Sequence, residues 1–424
     1  MTRTTIAGIR GRRVWDSRGR PTVEAEIRLE DGTLGRAIAP AGASTGSGEA
    51  RDKRDGGAAF GGHDVQGAVA AVNGEIANAL TGFDAADQAG LDRVLIELDG
   101  TADKARLGGN AGIAVSMAAA HAAAAAAGLP LWRHLGGDAA TLLPLPEIQI
   151  FGGGAHAGRR LDVQDFMVVC PGAGSFAEAL DWTAEVYRAA GGLMAEAGRL
   201  YGVADEGGFW PDFADAAEAL DMLLRAIERA GRRPGEEVAI ALDVAASEFG
   251  RNGRYRFEGQ DLDTGEMVDL VAGWVRRWPI VSVEDPVAED DAAGFRAITA
   301  AIGDQVQVVG DDFLVTDAAR VRDAAAARAC TTVLIKPNQR GTLTETRAAW
   351  DVAQAAGLGG IVSARSGESE DTTIVDLAVG WGVGQLKVGS FARSERMAKW
   401  NAALRIEEAL GGRARFAGRS VLRG

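Results

Sequence analysis

Residues 279–285 read PIVSVED, and the interpretation of that stretch decides the architecture. It is a short apolar run that stops in a carboxylate, Glu284, as a buried strand does when it reaches a loop. The same design recurs on both sides. VAIALD ends at Asp243, VQVVGD at Asp311, TTVLIK at Lys336 and GQLK at Lys387, while GGIVSAR reaches Ala364. Successive ends, taken in order from Asp243, are separated by 41, 27, 25, 28 and 23 residues. Those gaps suit a strand followed by a helix and a return, repeated six times, which means a parallel sheet or a barrel. From residue 146 onward roughly 280 residues remain, enough for an eight-stranded (β/α)₈-type barrel.

Residues 1–57 have a different pattern. In TVEAEIRLEDGTLGRAIA, EDGT (residues 30–33) separates two alternating runs and predicts a hairpin turn. APAGASTGSGEARDKRDGG (39–57) has no apolar period and is long for a loop, so it is expected to be mobile or functional. Helical spacing follows over 65–80, 86–98 and 109–128. The Gly- and Pro-bearing stretch LGGDAATLLPLP (135–146) reads as a linker. The expected division is an α+β domain over 1–135 and a catalytic barrel over 136–424.

Composition narrows the function. The 59 acidic and 45 basic residues leave a net charge of −14, which argues against nucleic acid or an anionic membrane as partner. An anionic substrate would therefore need metal ions or a local cluster of Lys and Arg. Two cysteines, Cys170 and Cys330, point to a reducing cytoplasm rather than a disulfide framework. No N-terminal signal pattern is visible. The longest apolar stretch, Ala111–Leu129, is Ala-rich and interrupted by Ser116 and His121, so it reads as a buried helix.

In a barrel of this kind the site lies at the C-terminal ends of the strands. Three carboxylates on successive strands, Asp243, Glu284 and Asp311, offer hard oxygens that suit Mg²⁺. Lys336 and Lys387 would face them across the barrel mouth. A lysine beside divalent cations and a second lysine is expected to have a lowered pKa and to serve as a base. A lone strand-end Asp is usually a helix cap and a lone Lys usually a solvated charge. Only the joint pattern over six strands points to chemistry.

With these residues in place the chain resembles enolase nearly end to end. The matching blocks are WDSRGRPTVE (15–24), AGASTGSGEA (41–50), LGGNAGIAVSMAAA (107–120), GAHAG (154–158), ADEGGF (204–209), ALDVAASEF (241–249), VSVEDPVAEDD (281–291), VVGDD (308–312), LIKPNQRGTLTET (334–346), ARSGESEDT (364–372) and FARSERMAKWNAALRIEEALG (391–411). The resemblance implies an α/β fold, an enolase-type (β/α)₈ barrel with an N-terminal α+β domain. It implies that Asp243, Glu284 and Asp311 hold one Mg²⁺ and that Ser44 joins a second, two per site. Lys336 would be the base and Lys387 would lie near the substrate carboxylate. Glu206 would protonate the departing hydroxyl, with His156 near the phosphate and leaving group. Arg365 and Ser366 would bind the phosphate. A homodimer through the N-terminal domain, or a higher oligomer, is implied as well.

Five positions depart from the family pattern. Ala364 replaces the histidine that enolases carry before the Arg–Ser pair, and Asp165 replaces a glutamate. In IFGGGAHAG, Gly152 and Ala155 stand in Asn and Ser places, and Pro337 replaces a β-branched residue. All lie on the side that handles the leaving group and the phosphate, where the site gains room at Ala364. The favoured reading is therefore an enolase-like enzyme acting on a phosphorylated or phosphonylated small anion. The carboxyphosphonoenolpyruvate synthases of phosphonate-antibiotic pathways are enolase-like proteins of that kind, and a carboxylate on phosphorus would use the added space. The alternatives are a housekeeping enolase converting 2-phosphoglycerate to phosphoenolpyruvate, and a non-catalytic scaffold. His63, His121, His134, Trp182, Trp274, Trp278 and Trp350 are expected to be packing or surface residues, with Trp210 a candidate to line the site.

Overall fold

The computed structural model describes residues 4–43 and 45–423. The first three strands, Ile6–Trp15, Pro21–Leu29 and Leu34–Ile38, pair antiparallel in chain order. Glu30–Thr33 is the predicted turn, with Gly32 in the left-handed region at φ 88°. In the middle strand Val23, Ala25, Ile27 and Leu29 are buried, and each large side chain taken fully from water contributes about 1.5–3 kcal/mol. The sheet lies on the Ala-rich helix Gly109–Ala126. A Cβ on Gly35 would sit 2.2 Å from the Ala118 carbonyl oxygen, so strand and helix meet backbone to backbone. This close approach is why that helix is made of alanine. It is a buried core helix, and among the described residues no single helix is long and apolar enough to cross a membrane.

Eight strands then close a barrel. In chain order they are Leu145–Gly152, Asp165–Val169, Ala239–Asp243, Ile280–Glu284, Gln307–Gly310, Thr332–Ile335, Gly359–Ser363 and Gln385–Ser390. The expected run of uniform βα units is corrected at one place: the second strand is antiparallel to both neighbours. Residues 153–164 contain only the 3₁₀ turn Gly154–Ala157, so no helix is available for a parallel crossover and the chain doubles back. The helices Phe176–Glu196 and Ala216–Arg229 follow in tandem and return the third strand to the common direction.

The two-residue period of a strand then decides what enters the barrel. Val309, Leu334 and Ile361 form one small apolar cluster, and Leu145, Met167, Val169, Ala239 and Ala241 another, closed below by Ala417 and Val421. Two residues beyond Ala241, Val309, Leu334 and Ile361 come Asp243, Asp311, Lys336 and Ser363. The apolar clusters are therefore the floor on which the polar ring stands. Lys387 is not a strand end, as expected from GQLK, but lies inside the eighth strand, which continues to Ser390. In the seventh strand Ser363 shares the period of Ile361, and Ala364 comes one residue later.

Candidate active site

The polar ring divides into two halves. In the first, Lys387 Nζ donates to Asp243 Oδ2 at 2.7 Å and to Glu284 Oε2 at 2.8 Å. Lys336 Nζ donates to Asp311 Oδ2, while Gln339 Nε2 holds Asp311 Oδ1 at 2.9 Å. Gln164 Nε2 reaches Asp243 Oδ2 at 3.1 Å. The expected carboxylate trio is thus present, with each member paired to a lysine. Asp285, on a left-handed backbone at φ 39°, accepts the N–H groups of Asp311 and Asp312 at 2.9 and 2.8 Å and ties the fourth strand's end to the fifth's.

Burial and charge set the ionisation of this half. Burial, with Asp243 adding to it, pushes the Glu284 carboxyl well above the usual carboxylate range. Burial also works against the Lys387 ammonium, but Asp243, Glu284 and Asp165 outweigh it and hold that pKa well above the ordinary lysine value. For Lys336 the protein's own groups set the pKa. Burial lowers it, yet Asp311 and Glu284 prevail and the pKa lies above the ordinary value. Asp311, in turn, is raised by burial and brought below the carboxylate range by Lys336.

The second half is built on short turns. His156 sits in the 3₁₀ turn Gly154–Ala157, with Nδ1 3.2 Å from Asp165 Oδ1 and Nε2 3.8 Å from Glu206 Oε1. The turn bearing Glu206 is pinned to it by the Asp205 N–H donating to the His156 carbonyl at 3.1 Å. Burial disfavours the imidazolium, but Glu206 and Asp165 raise its pKa to about 9. Asp165 is raised by burial and brought far below the carboxylate range by His156 and Lys387.

Ala364 is 6% exposed and faces a small polar cavity with both lysines, His156, Asp165, Glu206, Arg365 and Ser366. The Arg365 guanidinium donates to Glu49 Oε2 at 2.9 Å and to Asn338 Oδ1 at 3.1 Å. Burial works against its charge, and Glu49 more than offsets that. The Ser366 hydroxyl accepts from Arg18 Nη1 at 3.1 Å. Glu49 belongs to the Gly- and Ser-rich loop, which also donates its Ala50 N–H to the Gln339 carbonyl at 2.7 Å and places Gly42 and Ala43 at the cavity. Ser44, expected to join a second metal, lies outside the described residues.

The described residues fit a hard divalent cation. Asp243, Glu284 and Asp311 offer only carboxylate oxygens, and Glu284 Oε1 is buried without a hydrogen-bond partner. Two tighter groups also bring possible ligand atoms within 4.8 Å of one another, His156–Asp165–Glu206 and Asp285–Asp311–Asp312.

Among the other departures, a Cβ on Gly152 would lie 2.6 Å from Ala204 Cβ, so an asparagine there would displace Ala204. Ala155 is half-buried in the histidine turn, and Pro337 opens a buried 3₁₀ turn after Lys336. Trp210 stands beside Gly158, at 3.6 Å from a Cβ built there, and does not line the cavity. Trp182, Trp274, Trp278 and Trp350 are buried, as expected.

Sequence reasoning missed Glu49, Asn338, Arg18, Asp285, Gln149 and Glu147. The last two were visible as polar residues at alternate places in the apolar run LPEIQIF. Glu147 is 1% exposed and pairs in register with Lys387, and burial pushes its carboxyl up to about 7. The comparison with known families agrees with this geometry: a model described as "Enolase, N-terminal domain" matches residues 6–135, and one described as "Enolase, C-terminal TIM barrel domain" matches 140–424.

Proposed function

The chain belongs to the enolase family, and on that footing we propose that it removes a proton α to a carboxylate and eliminates the group on the next carbon. The product is an enolpyruvate ester. What supports this reading is the fully assembled set of one buried lysine, one largely buried lysine and three buried carboxylates at one barrel mouth. Lys336 takes the C2 proton as its neutral amine, the form reached once its ion pair with Asp311 is relieved. The C2–H electron pair becomes the new C2=C3 bond, and the C3–O bond breaks. Glu206 gives its proton to the leaving oxygen, which departs as water. Lys387 compensates the charge growing on the carboxylate, and Arg365 and Ser366 hold the phosphorus-bearing end. Mg²⁺ held by Asp243, Glu284 and Asp311 would neutralise substrate carboxylate oxygens as that charge develops.

The substrate class follows from the other half. Ala364 leaves room beside Arg365 and Ser366 that an imidazole would fill, and Asp165 is one methylene short of the family's glutamate. We therefore assign a substrate whose phosphorus bears a carboxylate, which makes the chain a carboxyphosphonoenolpyruvate synthase. The homodimer remains an expectation carried by the resemblance, and the cytoplasmic setting one carried by the cysteine count. The test offers purified protein with Mg²⁺ either 2-phosphoglycerate or the glycerate 2-ester of phosphonoformate. We expect kcat/KM to favour the phosphonoformate ester by about 10²-fold, the scale of discrimination that pocket shape alone supplies. Preference for 2-phosphoglycerate would overturn the assignment.

One observation favours the second reading, a housekeeping enolase. His156, Asp165 and Glu206 still form a complete buried acid cluster despite the departures around it.

A further inference from the structure

Gln149 has no part in the steps above, yet it stands where the two halves meet. It is fully buried on the first barrel strand, two residues beyond Glu147. Its Nε2 donates to Asp165 Oδ1, and its Oε1 accepts the Gly208 N–H at 2.8 Å. The orientation of the amide is unambiguous, because a carboxylate can only accept and a backbone N–H can only donate. Gly208 is two residues past Glu206, and the Ala204 N–H closes that turn on the Gly208 carbonyl at 2.7 Å. A Cβ on Gly208 would lie 2.5 Å from Gln149 Oε1, so the contact also requires glycine there.

The Asp165 carboxylate has two cations to choose between. Its Oδ1 lies 3.2 Å from His156 Nδ1, and its Oδ2, which has no hydrogen-bond partner, lies 3.6 Å from Lys387 Nζ. An ammonium that close would draw an untethered carboxylate toward the lysine half. The Gln149 amide supplies a directional donor on the histidine side, and its other end is fixed to the turn that carries Glu206.

We propose that Gln149 is a positioning residue that keeps Asp165 on His156 rather than on Lys387, and so holds His156 and Glu206 together as one acid unit. Gln149 gives the shortened side chain of Asp165 the reach it lacks. The substitution that lengthens Asp165 is therefore better accommodated with a shorter partner at 149. The role in turnover rests on the elimination proposed above; the placement of His156 does not.

The chain has only four histidines, so His156 can be followed in the full-length protein by imidazole ¹⁵N shifts and assigned through His156→Gln. Gln149→Met keeps the length and removes both hydrogen bonds. In Gln149→Met we expect the His156 Nδ1 shift to lose the signature of its 3.2 Å contact with Asp165, while the shifts of the other three histidines stay put. With 2-phosphoglycerate as probe, turnover should fall about 10²-fold, the cost of a misplaced group, while C2 proton exchange with solvent falls much less. Gln149→Asn/Asp165→Glu, which moves one methylene across the contact, should restore the parent shifts. If Gln149→Met does not fold, Gln149→Asn alone takes its place with the same expected shift change. Unchanged His156 shifts in the folded variant, or no rescue by the double variant, would overturn the proposal. Absence of any reaction with 2-phosphoglycerate would bear on the proposed elimination and leave the shift result to decide.

Discussion

The lysine half of the barrel mouth and the histidine half are built by different means. Asp243, Glu284, Asp311, Lys336 and Lys387 project from strands, standing on layers such as Val309–Leu334–Ile361, so the sheet register itself spaces them. His156 and Glu206 come from turns between strands and are held by the hydrogen bonds of those turns to neighbouring backbone, His156 also by Asp165. The departures from the family pattern fall in turns, at strand ends and at Asp165, while the five strand-borne groups stay intact. A frame set by register resists change one residue at a time. A frame set by turns can be altered at Ala364 or Ala155 while the barrel stays closed.

Replacing Lys336 by Met should give the largest effect, a fall of about 10³–10⁴ in C2 proton exchange, as the base itself is lost. Exchange measured by NMR in D₂O reads it without any need for product. A rate near the parent's would move the base to another group and break the division into halves.

Lys387→Met should act on stability as much as on rate. It strips the counter-charge from Asp243 and Glu284, which are 2–3% exposed in their side chains, at a cost of about 3–5 kcal/mol. Urea unfolding at neutral pH would show it, and the loss should shrink at low pH where the carboxylates take up protons.

The histidine half has its own pH signature. Burial opposes the His156 charge and Glu206 and Asp165 favour it, so its folded value, about 9, lies above the ordinary 6.5. Its stabilising contribution is therefore complete below 6.5 and is lost as the pH rises through 9, by roughly 3 kcal/mol at most. The His156→Gln protein should lack that decline. A parallel decline in both proteins would place its origin elsewhere.

A smaller change sharpens the comparison from the other side. Ala364→His with Asp165→Glu should raise 2-phosphoglycerate turnover about tenfold, as an acid–base participant is returned. Adding Gln149→Asn should raise it further, by making room for the longer carboxylate. No gain from the triple variant would move the cause to Gly152, Ala155 or Pro337.

Much of this division is legible in the chain. Asp243, Glu284, Asp311 and Lys336 end apolar runs at regular spacing, and that pattern alone places them at one barrel mouth. The antiparallel second strand is not legible, because QDFMVVC reads as a buried run in either direction and only the short 153–164 connection fixes its sense. The partners of Arg365 are hidden for another reason. Glu49 lies 316 residues away and meets it only when the Gly-rich loop of the first domain docks on the barrel. Lys336 shows the limit of reading charge from sequence. Its pKa depends on which of several buried neighbours lies nearest, and Asp311 does.

The most direct measurement follows 2-phosphoglycerate with saturating Mg²⁺ in D₂O, recording C2 exchange and enol-product absorbance on one sample of the unaltered protein. We expect exchange to run well ahead of product, because the lysine half is complete and the half that seats the phosphorus end and guides the leaving hydroxide is shaped for a different substrate. Product appearing as fast as exchange, at the rate of an ordinary enolase, would contradict a respecified leaving-group side and return the chain to the housekeeping reading.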